Sequence, residues 1–280
     1  MSPFCLLKLY NTIQAALRQI EGARPSESSL QARLRQMQAG SIKFHDARQL
    51  IRLLETLRPQ RILEVGSFVG VSSRLILEAS TPWQGEVVAV DPNMRHRNID
   101  QPGEVARALN RDFLGKRLTV VEAFFDRVNP AGFYHDYKAH KPQLDHAQVD
   151  ALVAQRPAID ATWPERFDMI FIDGAHDAEA TMGNYCLART LLNEGGVMVF
   201  HDAFSWRSVR QVMLDIRSSG EDRVTFLGRP VRLFTRLLPT RIMRRIIPAR
   251  WEAPGIFAVD GLAVVRPLVN DIMRNAQPSP

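Results

Sequence analysis

Hydrophobic spacing divides the chain into two rhythms. Over residues 3–21, Leu6, Leu9, Ile13, Leu17 and Ile20 recur at the spacing of one helical face, with Pro3 near the start. A second helix is predicted from near Ser28 to Gly40. A third runs from about Asp46 to Leu57, burying Leu50, Ile51, Leu53 and Leu54 before Pro59 ends it. From Arg61 the pattern changes. RILEVGS reads as a short buried strand, VSSRLILEAS as a helix, EVVAVDPN as a strand ending in an acid, residues 102–113 as a helix, and RLTVVEAFF as a third strand. The strands are continuously apolar rather than alternating, as expected for strands covered on both faces. Strands alternating with helices predict right-handed crossovers and a mostly parallel sheet.

The alternation stops over residues 126–166, which read as an insertion with Tyr134, Tyr137, His135, His140 and His146. It resumes with FDMIFID, a helix over 178–192, Gly195–Gly196, the strand VMVFHD, a helix from Ser205 to about Ser218, and DRVTFLG as a sixth strand. IFAVDGLAVVRP, near the end, is predicted to be a hairpin or a final antiparallel strand. The chain therefore divides into a helical extension (1–45), one α/β domain (46–268) with insertions at about 126–166 and 230–255, and a tail (269–280).

Composition adds limits. A chain of 280 residues, 45% hydrophobic and 24% charged, suits one large domain with a full core. Cys5 and Cys186 are far apart and form no disulfide framework. MSPFCLLKLY lacks the long apolar region of a signal peptide, and no apolar stretch is long enough to span a bilayer. The expectation is a cytoplasmic protein. The net charge of +6 is uneven, because residues 223–251 hold eight arginines and no acid, which leaves −2 for the rest.

Candidate chemistry sits at the strand ends, where ligands bind in open parallel sheets. The first strand ends in Glu64-Val-Gly66-Ser-Phe-Val-Gly70-Val-Ser72. Glycines there allow a tight turn and close approach to a ligand. The second strand ends at Asp91, a carboxylate placed to accept hydrogen bonds from both ribose hydroxyls. The glycine spacing is G-x-x-x-G, not the G-x-G-x-x-G of dinucleotide sites, which disfavours a nicotinamide-dependent oxidoreductase. A pyrophosphate fits badly against Glu64, whereas a ligand with a cationic amino group fits well.

On these residues the chain resembles the class I S-adenosylmethionine-dependent methyltransferases, EVGSFVGVS matching their first motif and VAVDPN their second. The resemblance implies a doubly wound, mostly parallel, seven-stranded Rossmann-like sheet. It implies that Glu64 and Gly66 face the methionine part of S-adenosyl-L-methionine, with Ser72 assisting and Gly70 in the same cofactor-binding motif. Asp91 would hold the ribose, with adenine near Ala123 and Phe124. FIDGAHDAE followed by GGVMVFHDAF is similar to the methyltransferase 24 group, which is related to the catechol O-methyltransferase-like enzymes. The resemblance covers roughly residues 45–218 apart from the insertion. It implies an acceptor edge at Asp173 and His201–Asp202. In the catechol-type enzymes an acid and a D-N pair hold a divalent cation; here the pair reads H-D. Asp173, Asp202 and His201 are the candidate ligands of Mg²⁺ or Mn²⁺; the imidazole suits Mn²⁺, Fe²⁺ or Zn²⁺ better than Mg²⁺, and Asp173 with Asp202 could bind a metal without it. Asp173, His176 and His201 are the candidate catalytic residues, either imidazole being a candidate base.

The implied function is methylation of a hydroxyl on a sugar, glycolipid or small natural product. The alternative is a non-catalytic cofactor-binding module acting through protein contacts. Strand parity sets Asp173 and Asp202 on converging faces and turns His201 away unless its strand has already ended. The spacings of His135, His140 and His146 match no standard zinc pattern and favour a solvated insertion that could cover the acceptor. In the basic segment 229–250, Ile242, Met243, Ile246 and Ile247 share a helical face opposite Arg241, Arg244 and Arg245. Such a helix either packs on the core or on a second subunit, or rests on the anionic inner surface of a membrane. No nucleic-acid-binding module is recognisable.

Overall fold

The computed structural model describes residues 3–22, 37–38, 40–96, 99–126, 146–228 and 260–268. The expected helix from Ser28 lies mostly outside these residues. So do His135, His140, the basic segment 229–250 and the tail.

Among the described elements, α1 (Pro3–Gly22) and α2 (Phe44–Leu57) precede β1 (Arg61–Val65). There follow α3 (Val71–Ala79), β2 (Glu86–Val90), α4 (Pro102–Leu109), β3 (Leu118–Val121), β4 (Phe124–Phe125), α5 (His146–Ala154), β5 (Ala158–Ile159), β6 (Phe167–Ile172), α6 (Ala178–Leu191), β7 (Leu192–Phe200), α7 (Arg207–Ser219), β8 (Asp222–Leu227) and β9 (Leu262–Pro267). Seven strands form one sheet in the order β3-β2-β1-β6-β7-β9-β8. All neighbours are parallel except β9, which runs antiparallel between β7 and β8. The seven-stranded, mostly parallel expectation holds, and the described end of the last apolar run, Leu262–Pro267, is an antiparallel strand.

Two local expectations change. The helix predicted over 102–113 stops at Leu109, where Asn110 turns its side-chain amide onto the carbonyls of Ala106 and Gly70. The third strand breaks after Val121. Phe124 and Phe125 leave the main sheet and pair with Ala158 and Ile159 in a separate two-stranded sheet.

The core lies on both faces of the sheet. On one side Leu50, Ile51, Leu54, Leu75 and Ile76 pack on Ile62, Val87 and Phe171. On the other, Tyr185, Leu191, Val212 and Met213 pack on Leu63, Ile170 and Phe200. Phe171 and Phe200 are fully buried, each contributing about 2–3 kcal/mol of burial. This packing fixes the register that builds the site. Val65 pairs with both Val90 and Ile172, and Ile172 pairs with Phe200. Four strands therefore end level with one another, and the next residues are Gly66, Asp91, Asp173 and His201.

Candidate active site

The row begins at Gly66, whose φ of +85° suits glycine. A Cβ there would stand 2.4 Å from the Asp173 carbonyl oxygen, so the glycine also permits the close approach of β1 and β6. Glu64, two residues back along β1, is fully buried. Its Oε2 accepts a hydrogen bond from Ser73, while Oε1 is buried without a partner. Burial pushes the Glu64 carboxyl up to about 7, against the lowering effect of Ser72 and Ser73. An orphaned carboxylate oxygen at a strand end fits a cationic amino group.

Asp91 accepts the backbone N–H of Phe68 on Oδ2 at 2.9 Å and that of Asn93 on Oδ1 at 2.8 Å. Phe68 takes a left-handed φ of +47°, uncommon for an aromatic residue, and its N–H thereby meets the carboxylate. Burial raises the Asp91 carboxyl against these bonds. A carboxylate has about four acceptor sites, so lone pairs remain for a ribose. Asn93 extends this side by donating to Glu122, which also pairs with Arg107 and Arg156. Ala123 and Phe124 follow directly and are both buried.

Acids and imidazoles interlock at the other end of the row. β7 has ended at Phe200, so His201 is free of strand parity, and its Nδ1 lies 2.9 Å from Asp173 Oδ1. Asp202 turns left-handed at φ +62°, accepts the Ser205 hydroxyl at 2.6 Å and sets its other oxygen 2.7 Å from His176 Nε2. That last contact is an ion pair without hydrogen-bond alignment. His176 Nε2 is also 3.9 Å from Asp173 Oδ1. Neither His176 nor Asp202 caps a helix: Asp177 caps α6, and Trp206 precedes α7 without a side-chain cap.

Burial raises the Asp173 carboxyl, but the His201 and His176 imidazoles outweigh it and hold it below the usual carboxylate range. Asp202 behaves likewise, with His176 as the main counterweight. The imidazoles move the opposite way. Burial lowers His176, yet Asp173 and Asp202 carry it up to about 9, and the carboxylates around His201 raise it well above its ordinary value. Asp173, His201 and Asp202 each offer a donor atom within 4.8 Å of the others. Two carboxylates and a ring nitrogen fit a divalent cation of the Mn²⁺ class.

Several residues at the site were not singled out by their sequence pattern. Ser73 binds Glu64 from the first turn of α3. Trp206 is 49% exposed and stacks on His176 with ring centroids 4.9 Å apart at 11°. Asp46 lies 3.7 Å from His201 Nε2. The signal for Asp46 was available: it occupies the buried stripe of α2 with Ala47, Leu50, Ile51 and Leu54.

A parallel sheet with one antiparallel strand near its edge, and a glycine turn and acid at its first two strand ends, defines the class I methyltransferase fold. The chain belongs to the methyltransferase 24 family, whose methyltransferase-domain model matches residues 63–203, and with it to the S-adenosylmethionine-dependent methyltransferases. No curated protein matches the sequence significantly. Among solved structures, the chain is similar to cofactor-bound Rv0187 from MTB (19% identity, 88% of this chain and 92% of that one, TM-score 0.50). It is also similar to a putative caffeoyl-CoA O-methyltransferase from Staphylococcus aureus (12%, 91% and 99%, 0.50). A third is a putative O-methyltransferase from Klebsiella pneumoniae (14%, 92% and 89%, 0.50). At these identities the likeness is one of fold.

Proposed function

We propose that this enzyme transfers the methyl group of S-adenosylmethionine to a hydroxyl on a sugar, glycolipid or other small natural product. One observation carries the reading: Gly66, Asp91, Asp173 and His201 follow strand ends held level by the sheet register. Glu64, Gly66, Gly70 and Ser72 would meet the methionine part, Asp91 the ribose, and Ala123 with Phe124 the adenine. Asp173 then stands where an acceptor oxygen must be held. The half-open indole of Trp206 suits stacking on a ring-bearing acceptor.

Methyl transfer is an in-line displacement that asks for alignment and removal of one proton. Asp173 and Asp202 stay ionised at neutral pH and can accept the hydroxyl's hydrogen bond. His176 keeps its proton up to about pH 9, so as a base it works only above that value or when the carboxylates are engaged elsewhere. Asp173, Asp202 and His201 would hold a divalent cation, which when bound would lower the hydroxyl pKa.

Labelled S-adenosylmethionine with a panel of methyl glycosides, glycolipids and phenols tests the reading. The expected product is an ether, and Asp173→Asn lowers kcat at least about 100-fold with cofactor affinity within threefold. Without added metal, the rate should climb with pH toward about 9. Full activity of Asp173→Asn would overturn the assignment.

A further inference from the structure

Behind the acceptor edge lie Asp46 and Asp260, which the reaction above does not use, and they face the second ring nitrogen of His201. Asp46 of α2 is fully buried. Its Oδ2 accepts the backbone N–H of Asp260 at 2.9 Å and its Oδ1 that of Gly261 at 3.1 Å. These bonds hold α2 against the start of β9 and bring the half-buried Asp260 carboxylate alongside. His201 meets the pair with its other nitrogen. The residue is 5% exposed, and Nε2 has no hydrogen-bond partner. Nε2 stands 3.7 Å from Asp46 Oδ2, too far for a hydrogen bond. The distance suits two donors on one ion, because ligands about 2.1 Å from a metal lie roughly 3.0–4.2 Å apart, depending on their angle. Asp46, His201 and Asp260 each place a donor atom within 4.8 Å of the others.

We propose that Asp46, Asp260 and Nε2 of His201 form a buried pocket for a divalent transition ion of the Mn²⁺ or Zn²⁺ class. Nδ1 of the same ring faces Asp173 at 2.9 Å. That is the carboxylate–imidazole–metal arrangement, in which the outer carboxylate fixes the ring and its proton. An ion in this pocket keeps His201 neutral, with its proton on Nδ1, so that a front cation would be held by Asp173 and Asp202 without the imidazole. It also offsets the negative charge that Asp202 and Asp46 put on Asp260, against which His201 and Lys43 act. The imidazole ligand selects against Mg²⁺. The proposal goes beyond the methyl-transfer reading and rests on the geometry alone.

The test uses the full chain, stripped with chelator and titrated with Mn²⁺ while the free-ion paramagnetic resonance signal is followed; Zn²⁺ is titrated by calorimetry. The expected result is one ion per chain whose binding does not depend on Asp202. Asp46→Asn and Asp260→Asn should each weaken it at least about tenfold, and Asp202→Asn, which alters only the front donors, should leave it within threefold. S-adenosylhomocysteine affinity unchanged within twofold shows that the variants are folded. If Asp46→Asn does not fold, Asp260→Asn decides alone, because its carboxylate carries no backbone hydrogen bond among the described residues. Weakening by Asp202→Asn as large as that by Asp260→Asn would overturn the proposal. So would failure of the wild type to bind Mn²⁺ or Zn²⁺ at millimolar concentration; S-adenosylhomocysteine binding in the same samples judges the methyltransferase reading separately.

Discussion

Glu64 sits in the core with one hydroxyl partner, and its carboxyl is raised by burial to about 7. In the free protein the fold therefore holds this proton more tightly than the unfolded chain does. Its contribution to stability is full below the ordinary carboxyl range and is lost as pH rises through about 7. A ligand amino group beside Glu64 favours the ionised form, so binding releases the proton. S-adenosylhomocysteine affinity should rise with pH, by up to about tenfold per unit, and flatten above about 7, with Glu64→Gln removing the slope. Calorimetry across that range, in buffers of different ionisation enthalpy, checks it; a flat wild-type profile would put the amino group elsewhere. At this scale the sequence was legible where a residue type and a strand end coincide, as at Gly66, Asp91 and Asp173. At His201 the outcome turned on where the strand ends, because parity counts only while the strand lasts and β7 stops one residue earlier. Asp46 went unread because helical spacing marks which residues are buried but does not say what a buried carboxylate faces 155 residues away in sequence.

Among the elements, β9 shapes the site most, although it lies outside the alternating strand–helix pattern. Its entry turn accepts the backbone N–H groups of Ala203, Phe204 and Ser205 on the carbonyls of Asp260 and Gly261, which pins the loop carrying His201 and Asp202. Gly261 has φ +82°, and a Cβ there would fall 1.9 Å from Phe204 Cδ2. Gly261→Ala should destabilise by about 2–4 kcal/mol, from strain and overlap together. Adding Phe204→Ala should recover at least about 1 kcal/mol of that, as a coupling read from urea unfolding of the two single variants and the double variant. Strict additivity would mean that the ring does not meet this turn. The hydrophobic run of β9 was readable as a strand. Its place between β7 and β8 was not, because an antiparallel edge is set by long-range pairing rather than local spacing.

For the whole molecule, alternation from Arg61 onward gave away the layered α/β architecture. Continuous apolar strands need cover on both faces, and helices between them supply it. The break in rhythm after β3 was legible, but the small β4–β5 sheet was not, since two-residue strands leave no periodic signal. No helix among the described residues is long and apolar enough to cross a membrane. The central claim is that this sheet edge binds S-adenosylmethionine. Calorimetry of the whole chain with S-adenosylhomocysteine and with NAD tests it most directly. The account predicts one S-adenosylhomocysteine per chain with Kd on the order of micromolar, weakened at least about tenfold by Asp91→Ala, and no heat from NAD. Binding of NAD, with neither S-adenosylhomocysteine nor S-adenosylmethionine bound, would contradict it.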